Sequence, residues 1–169
     1  MPGLATGITD PPLSDLGRTQ ARGAAAALAD RPLVRVLSSD LKRAFETADI
    51  IAARHGLVVE TSSALREIDF GKWEGRELGD LWLEDSAAAR AWERDVRHTP
   101  PAFGESAGDL ERRVAAFWQQ RAALLDGGEI AVVGHGGSLA VLRSLISHEP
   151  FAATIGSRLG LGEMFGLDA

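Results

Sequence analysis

Two short apolar runs in this 169-residue chain each end in a tight turn and resume as a helix-spaced segment. That pattern constrains the fold more than any other feature. Leu33 to Leu37 follows Pro32 and leads into Ser38-Ser39-Asp40, where Ser39 is placed to cap a segment in which Leu41, Phe45, Ala48, Ile51 and Ala52 fall at helical spacing until Gly56. Glu129 to Gly134 follows Gly127-Gly128 and leads into His135-Gly136-Gly137-Ser138, after which Leu139, Leu142, Arg143 and Ile146 continue as a helix. A buried strand feeding a helix, twice over, predicts a three-layer α/β/α fold with a mostly parallel sheet. In such folds ligands bind at the carboxyl ends of the strands.

The remaining segments fit the same scheme. Ser14 or Asp15 is placed to cap an alanine-rich helix running to about Ala29, and Leu57 to Thr61 reads as a second short strand. Ser62 to Gly79 shows little periodicity around Phe70 and Trp73 and reads as a surface loop. Short helical patterns surround Leu81 and Trp92. Ser106 with Asp109 forms a capping-box variant that opens a helix to about Leu125. Glu163 to Leu167 reads as a weak strand. No linker or repeat interrupts the chain, so residues 1–169 are expected to form one domain.

Composition narrows the function classes. Hydrophobic residues make up 45% and charged residues 25%, an ordinary globular balance. A net charge of −6 disfavours a nucleic-acid footprint over the whole surface but leaves room for a local cationic pocket. The absence of cysteine removes disulfides, thiolate metal sites and a cysteine nucleophile. No apolar run is long enough for a membrane span and the start lacks a signal-peptide pattern, so a cytoplasmic protein without membrane partners is expected.

Three places carry chemistry. His135 sits between a strand end and two glycines whose amides suit an anion, although the same residues also make a plain tight turn with a capping histidine. Arg43, in the first turn after Ser38-Ser39-Asp40, can fork onto a phosphate or carboxylate, or simply form a surface ion pair. Glu67 lies in Leu65-Arg66-Glu67-Ile68-Asp69-Phe70-Gly71-Lys72-Trp73-Glu74-Gly75. If Phe70 and Trp73 keep it partly dry it can serve as a proton donor, and otherwise it is a solvated loop glutamate.

Together these segments resemble the histidine phosphatase superfamily, which includes the cofactor-dependent phosphoglycerate mutases and the α-ribazole phosphatases. Thr6-Gly7 through Leu16-Gly17 is similar to that family's early substrate loop, and Ser38 to Ala48 to its arginine segment. Leu65 to Gly75 resembles its acid loop, Gly104-Glu105-Ser106 its later loop, and His135-Gly136-Gly137 its second-histidine motif. The resemblance implies a phosphoglycerate mutase-like fold and hydrolysis of a small phosphorylated metabolite through a phosphohistidine, with neither metal nor cofactor. It implies that Glu67 protonates the leaving oxygen, while Arg43, His135, the Gly136 amide and the Thr6-Gly7 turn hold the phosphoryl oxygens.

In that family the attacking histidine lies in an Arg-His-Gly motif at the end of a first strand, ahead of the position matched to Thr6-Gly7. Here that place falls upstream of Met1, and the asparagine expected after it is absent too. Either an upstream strand restores the nucleophile, which is the favoured expectation, or the chain is a phosphate-binding relative without turnover. As written, the chain is expected to be inactive. Arg54-His55-Gly56 spells the motif but follows a helical pattern, so His55 reads as a decoy. Gly104-Glu105-Ser106-Ala107-Gly108 matches an esterase elbow but follows no strand, so Ser106 reads as a helix cap. His98 and His148 read as surface residues, and Trp82, Trp92 and Trp118 as packing residues.

Overall fold

The computed structural model describes residues 3–121, 127–151, 154 and 162–166. Strand β1 (Leu33–Ser38) lies between β2 (Val59–Thr61) and β3 (Glu129–Val133), and both neighbours run parallel to it. Ser38 stands opposite both Thr61 and Val133, so the three strands end level. Side chains alternate across β1. Val36 joins Ala24, Ala25, Ala48, Ile51 and Ala52 on the face covered by α1 (Asp15–Ala27) and α2 (Lys42–His55). Leu37 joins Leu65 and Phe117 on the face covered by α5 (Ala107–Arg121), beside which α6 (Gly136–Ser147) packs. The alanines between α1 and α2 let the helices approach closely, and Leu110, Val114, Val141 and Leu142 fill the α5–α6 side.

The helix ends follow local chemistry. Ser14 Oγ accepts the Gly17 amide at 3.1 Å, and Gly56 ends α2 at φ +65°, where a Cβ would be strained. Ser106 and Asp109 cap each other, with the Asp109 amide 3.2 Å from Ser106 Oγ and the Ser106 amide 3.1 Å from Asp109 Oδ2. Ser39 does not cap α2 as expected. It takes the Leu41 amide at 3.3 Å, one step before the helix begins, and Asp10 crosses over to take the Lys42 amide at 2.6 Å.

Several boundaries differ from the sequence expectation. The second strand begins at Val59 instead of Leu57. Ser62 to Gly79 is not a plain surface loop, because it holds 3-10 turns at Ser63–Leu65 and Gly71–Trp73 and gives way to α3 (Leu78–Glu84). Its apolar side chains explain this, since Leu65 is fully buried and Trp73 packs with Ala5, Leu81 and Ala89. Trp73 meets Trp92 of α4 (Ser86–Arg94) edge to face at 5.8 Å, which confirms Trp92 as a packing residue. Residues 163–166 form no strand, and Leu167 and the expected helix end at 122–125 lie outside the described residues.

Among the described residues β3 is paired on one side only, and all five of its residues are half-buried. Val133 O accepts the Ser39 amide and the Glu129 amide reaches Pro32 O, so residues 129, 131 and 133 bond toward β1. By alternation, the amides and carbonyls of Ile130 and Val132 point to the open edge.

Candidate active site

The level ends of β1 and β3 bring together groups that are far apart in the chain. Ser39, fully buried after β1, lies with its hydroxyl 2.9 Å from His135 Nε2. His135 is the N-cap of α6, and its own amide donates to Ser138 Oγ at 3.1 Å. Burial pushes the imidazole down to about pKa 3, helped by the positive charges of Arg43 and Arg113 and opposed by Asp40. The ring is therefore neutral at pH 7.

Glu67 comes to the same helix end. Its carboxylate oxygens lie 3.1 and 3.0 Å from the Gly137 amide, and Oε1 also accepts the Ile68 amide at 2.9 Å. A Cβ on Gly137 would lie 2.3 Å from Glu67 Oε1, so a larger residue there would displace the carboxylate from the Gly137 amide. The Gly136 amide takes no protein partner among the described residues.

Arg43 sits opposite, in the first turn of α2, and its fork is already engaged. Nη1 donates to Thr9 O at 2.6 Å and Nη2 to Gly7 O at 2.7 Å. Burial draws its pKa below the usual value, against the pull of the Glu67, Asp10 and Glu74 charges. Gly7 is buried where a Cβ would collide with Ile68 O and Glu74 Oε1, whereas Thr6 is exposed and makes no described hydrogen bond. The fold thus gathers Glu67, His135, Arg43, Gly7 and Gly136 and leaves the Thr6 side chain outside the network.

Four organising residues escape the sequence-based selection: Ser39, Asp10, Glu74 and Arg113. Arg113 donates to the carbonyls of Ala64, Arg66 and Glu67 at 2.8 to 3.0 Å and pairs with Glu105 at 2.7 and 2.8 Å. It ties the acid loop to α5. Glu105, in the segment that resembles the family's later loop, is occupied by that pair. A cavity lined by Ile8, Arg66, Glu67, Asp69, Glu105 and Arg113 opens beside the acid. Nothing in the local sequence of α5 marks one arginine among several for this task.

The other histidines lie apart from this cluster. His55 closes α2, roughly 18 Å along the helix axis from Arg43 at 1.5 Å per residue. His98 is exposed and pairs with Asp95 at 2.9 Å, and His148 caps the end of α6. Ser106 Oγ meets Asp109 at 2.5 Å, which leaves it a cap and not a nucleophile.

The model of the histidine phosphatase superfamily (branch 1) matches residues 2–162. The chain belongs to that superfamily. This histidine phosphatase is 35% identical over 154 residues to a glucosyl-3-phosphoglycerate phosphatase of Mycobacterium tuberculosis, covering 86% of this chain and 69% of the relative. It superposes on the α-ribazole phosphatase of Shigella flexneri with a TM-score of 0.85 at 32% identity, covering 95% of this chain and 79% of that one. A mycobacterial glucosyl-3-phosphoglycerate phosphatase in complex with inorganic phosphate gives 0.78 at 33% identity, with 92% and 79% covered. The family and these relatives are phosphatases that act on small phosphorylated substrates.

Proposed function

We propose that this histidine phosphatase hydrolyses a small phosphomonoester through a phosphohistidine. The observation that carries this is the meeting of a neutral His135, the cationic Arg43, the Gly136 amide, which has no protein partner among the described residues, and the Glu67 carboxyl at the ends of β1 and β3. Arg43, His135 and the Gly136 amide hold the phosphoryl oxygens, while Gly7 acts through the carbonyl that fixes Arg43. A histidine nitrogen attacks phosphorus, the bond to the leaving oxygen breaks, and Glu67 gives that oxygen its proton. Glu67 then takes a proton from water as the water attacks the phosphohistidine, which releases phosphate and restores both groups. Charge is stabilised by fixed donors in a half-dry pocket, so no metal or cofactor is called for.

None of the four histidines of this chain is placed to attack: His135 is held against Ser39, and the others lie outside the cluster. The attacking group belongs on a strand laid along the outer edge of β3, where the backbone groups of Ile130 and Val132 have no partner among the described residues. The names of the relatives suggest a phosphorylated sugar or α-ribazole-type substrate. Residues 1–169 act as one domain in the cytoplasm, without nucleic-acid or membrane partners. The charge of −6 disfavours a nucleic-acid footprint over the whole surface, and among the described residues no helix is long and apolar enough to cross a membrane.

The test combines intact mass and N-terminal sequence of the protein from its native cells with phosphate release from p-nitrophenyl phosphate. Release that is lost in Glu67→Gln and His135→Ala supports the phosphatase. Stabilisation by phosphate without release favours the second reading, a non-catalytic phosphate binder, which the engaged Arg43 fork and Glu67 carboxylate make specific. If neither release nor stabilisation occurs, the pocket reading is overturned.

A further inference from the structure

Glu74 lies outside the set of groups assigned to the phosphoryl oxygens, yet its carboxylate is surrounded by donors. It accepts the amides of Gly7 (3.1 and 3.2 Å), Ile8 (3.0 Å), Thr9 (3.1 Å) and Phe70 (3.1 Å), and the Thr9 hydroxyl at 2.5 Å. Burial alone would raise its pKa, but the Thr9 hydroxyl and the amides of Phe70, Ile8 and Thr9 outweigh this and hold it below the usual range. It is ionised at neutral pH.

Three consecutive amides converge on this one carboxylate, which forces a tight turn at 7–9 and sends two of its carbonyls the other way. Those carbonyls, Gly7 O and Thr9 O, are the two acceptors that fix the Arg43 guanidinium. The turn can pack this closely because residue 7 is glycine, with Ile68 O and Glu74 Oε1 in the space a Cβ would need. Ala5 seals the junction by exchanging backbone bonds with Gly75 and Arg76 at 2.8 Å. One segment, 67–76, therefore carries the acid at one end and the anchor of the arginine at the other.

We propose that Glu74 is a positioning residue: by clamping the 7–9 turn it sets the Arg43 guanidinium for the phosphoryl group and couples that setting to the loop bearing Glu67. This rests on the phosphate pocket proposed above. Removing the charge leaves the three amides without an ionised acceptor, frees the turn, and lets the Arg43 fork swing away from the pocket.

The test measures the affinity for inorganic phosphate by calorimetry, at a temperature where every variant is folded, together with the 15N NMR signal of the Arg43 guanidinium. Glu74→Gln keeps the size but sets an amide group against N–H donors. We expect phosphate to bind about 10-fold or more weakly, because charge-assisted bonds are lost. The Arg43 signal shifts with it. Thr9→Val removes only the hydroxyl donor and gives a smaller change in the same direction. A folded Glu74→Gln with unchanged affinity and Arg43 signal overturns the proposal and leaves Glu74 a loop staple. Should Glu74→Gln not fold, Thr9→Val decides by the same two readouts. If phosphate binds neither the parent protein nor Arg43→Ala, the pocket reading has failed instead. The Arg43 signal alone then judges the clamp: a shift in Glu74→Gln upholds it and no shift overturns it.

Discussion

Helices α2 and α6 both start where a parallel strand ends, yet they offer different chemistry to the space between them. The start of α2 is spent on the protein itself, with Ser39 taking the Leu41 amide and Asp10 the Lys42 amide. What α2 contributes is the side-chain charge of Arg43. The start of α6 is built of Gly136 and Gly137, has a neutral histidine as its cap, and leaves the Gly136 amide without a protein partner among the described residues. One helix supplies charge and the other supplies aimed backbone dipoles. A phosphoryl group with several oxygens around one centre is suited to such a divided donor set.

The largest effect expected is on acid stability, and it separates the neutral end from the cationic one. His135 has its pKa depressed in the folded chain from 6.5 to about 3, so the unfolded chain binds the proton first. Its contribution is fully present above pH 6.5 and is lost progressively as pH falls toward 3. By pH 4 the loss is about 3 kcal/mol, seen as a falling Tm that His135→Gln flattens. A profile unchanged by that substitution would show that the ring is not buried neutral.

Arg43→Ala should come next, weakening phosphate binding about 100-fold in calorimetry, because both a charge and a fork are removed. A loss of only a few-fold would mean that α6 does most of the binding. Gly137→Ala attacks the other helix. Its methyl group would collide with Glu67 Oε1 and lie 3.1 Å from Leu110 Cδ2, so a cost of about 1–3 kcal/mol is expected by thermal melting. Asp10→Ala is the mildest change. It uncaps α2 for about 1 kcal/mol, or roughly 2–4 °C in Tm. It also removes a negative charge near Arg43, so phosphate should bind slightly more tightly, making α2 more like α6.

The two helix starts also differ in how far they could be read without coordinates. Gly134-His135-Gly136-Gly137-Ser138 is self-contained: the strand end, the cap and the amides belong to consecutive residues, and their placement follows from turn chemistry. Ser38 to Arg43 is not. Ser39 looked like the cap because cap preference is local, but Asp10 arrives from 32 positions upstream and takes the first helical amide. Arg43 was legible as a cation near the site and not as one engaged by the carbonyls of Gly7 and Thr9. Glu67 could be picked out by resemblance, whereas Arg113, which bonds the carbonyls around it, looks like any other arginine of an amphipathic helix.

By itself the sequence determined the strand-to-helix units at 33–55 and 129–146, the parallel sheet they require, and the glycine turn that opens α6. These depend on burial periodicity and backbone conformation, which are properties of neighbouring residues. The tertiary structure decided which polar groups meet. Glu74 selects amides 65 to 67 positions away, Arg113 selects carbonyls 46 to 49 positions away, and His135 selects Ser39 across 96. A buried carboxylate or guanidinium must find partners wherever the packed elements deliver them, because leaving it unpaired in a dry interior costs more than any local preference supplies.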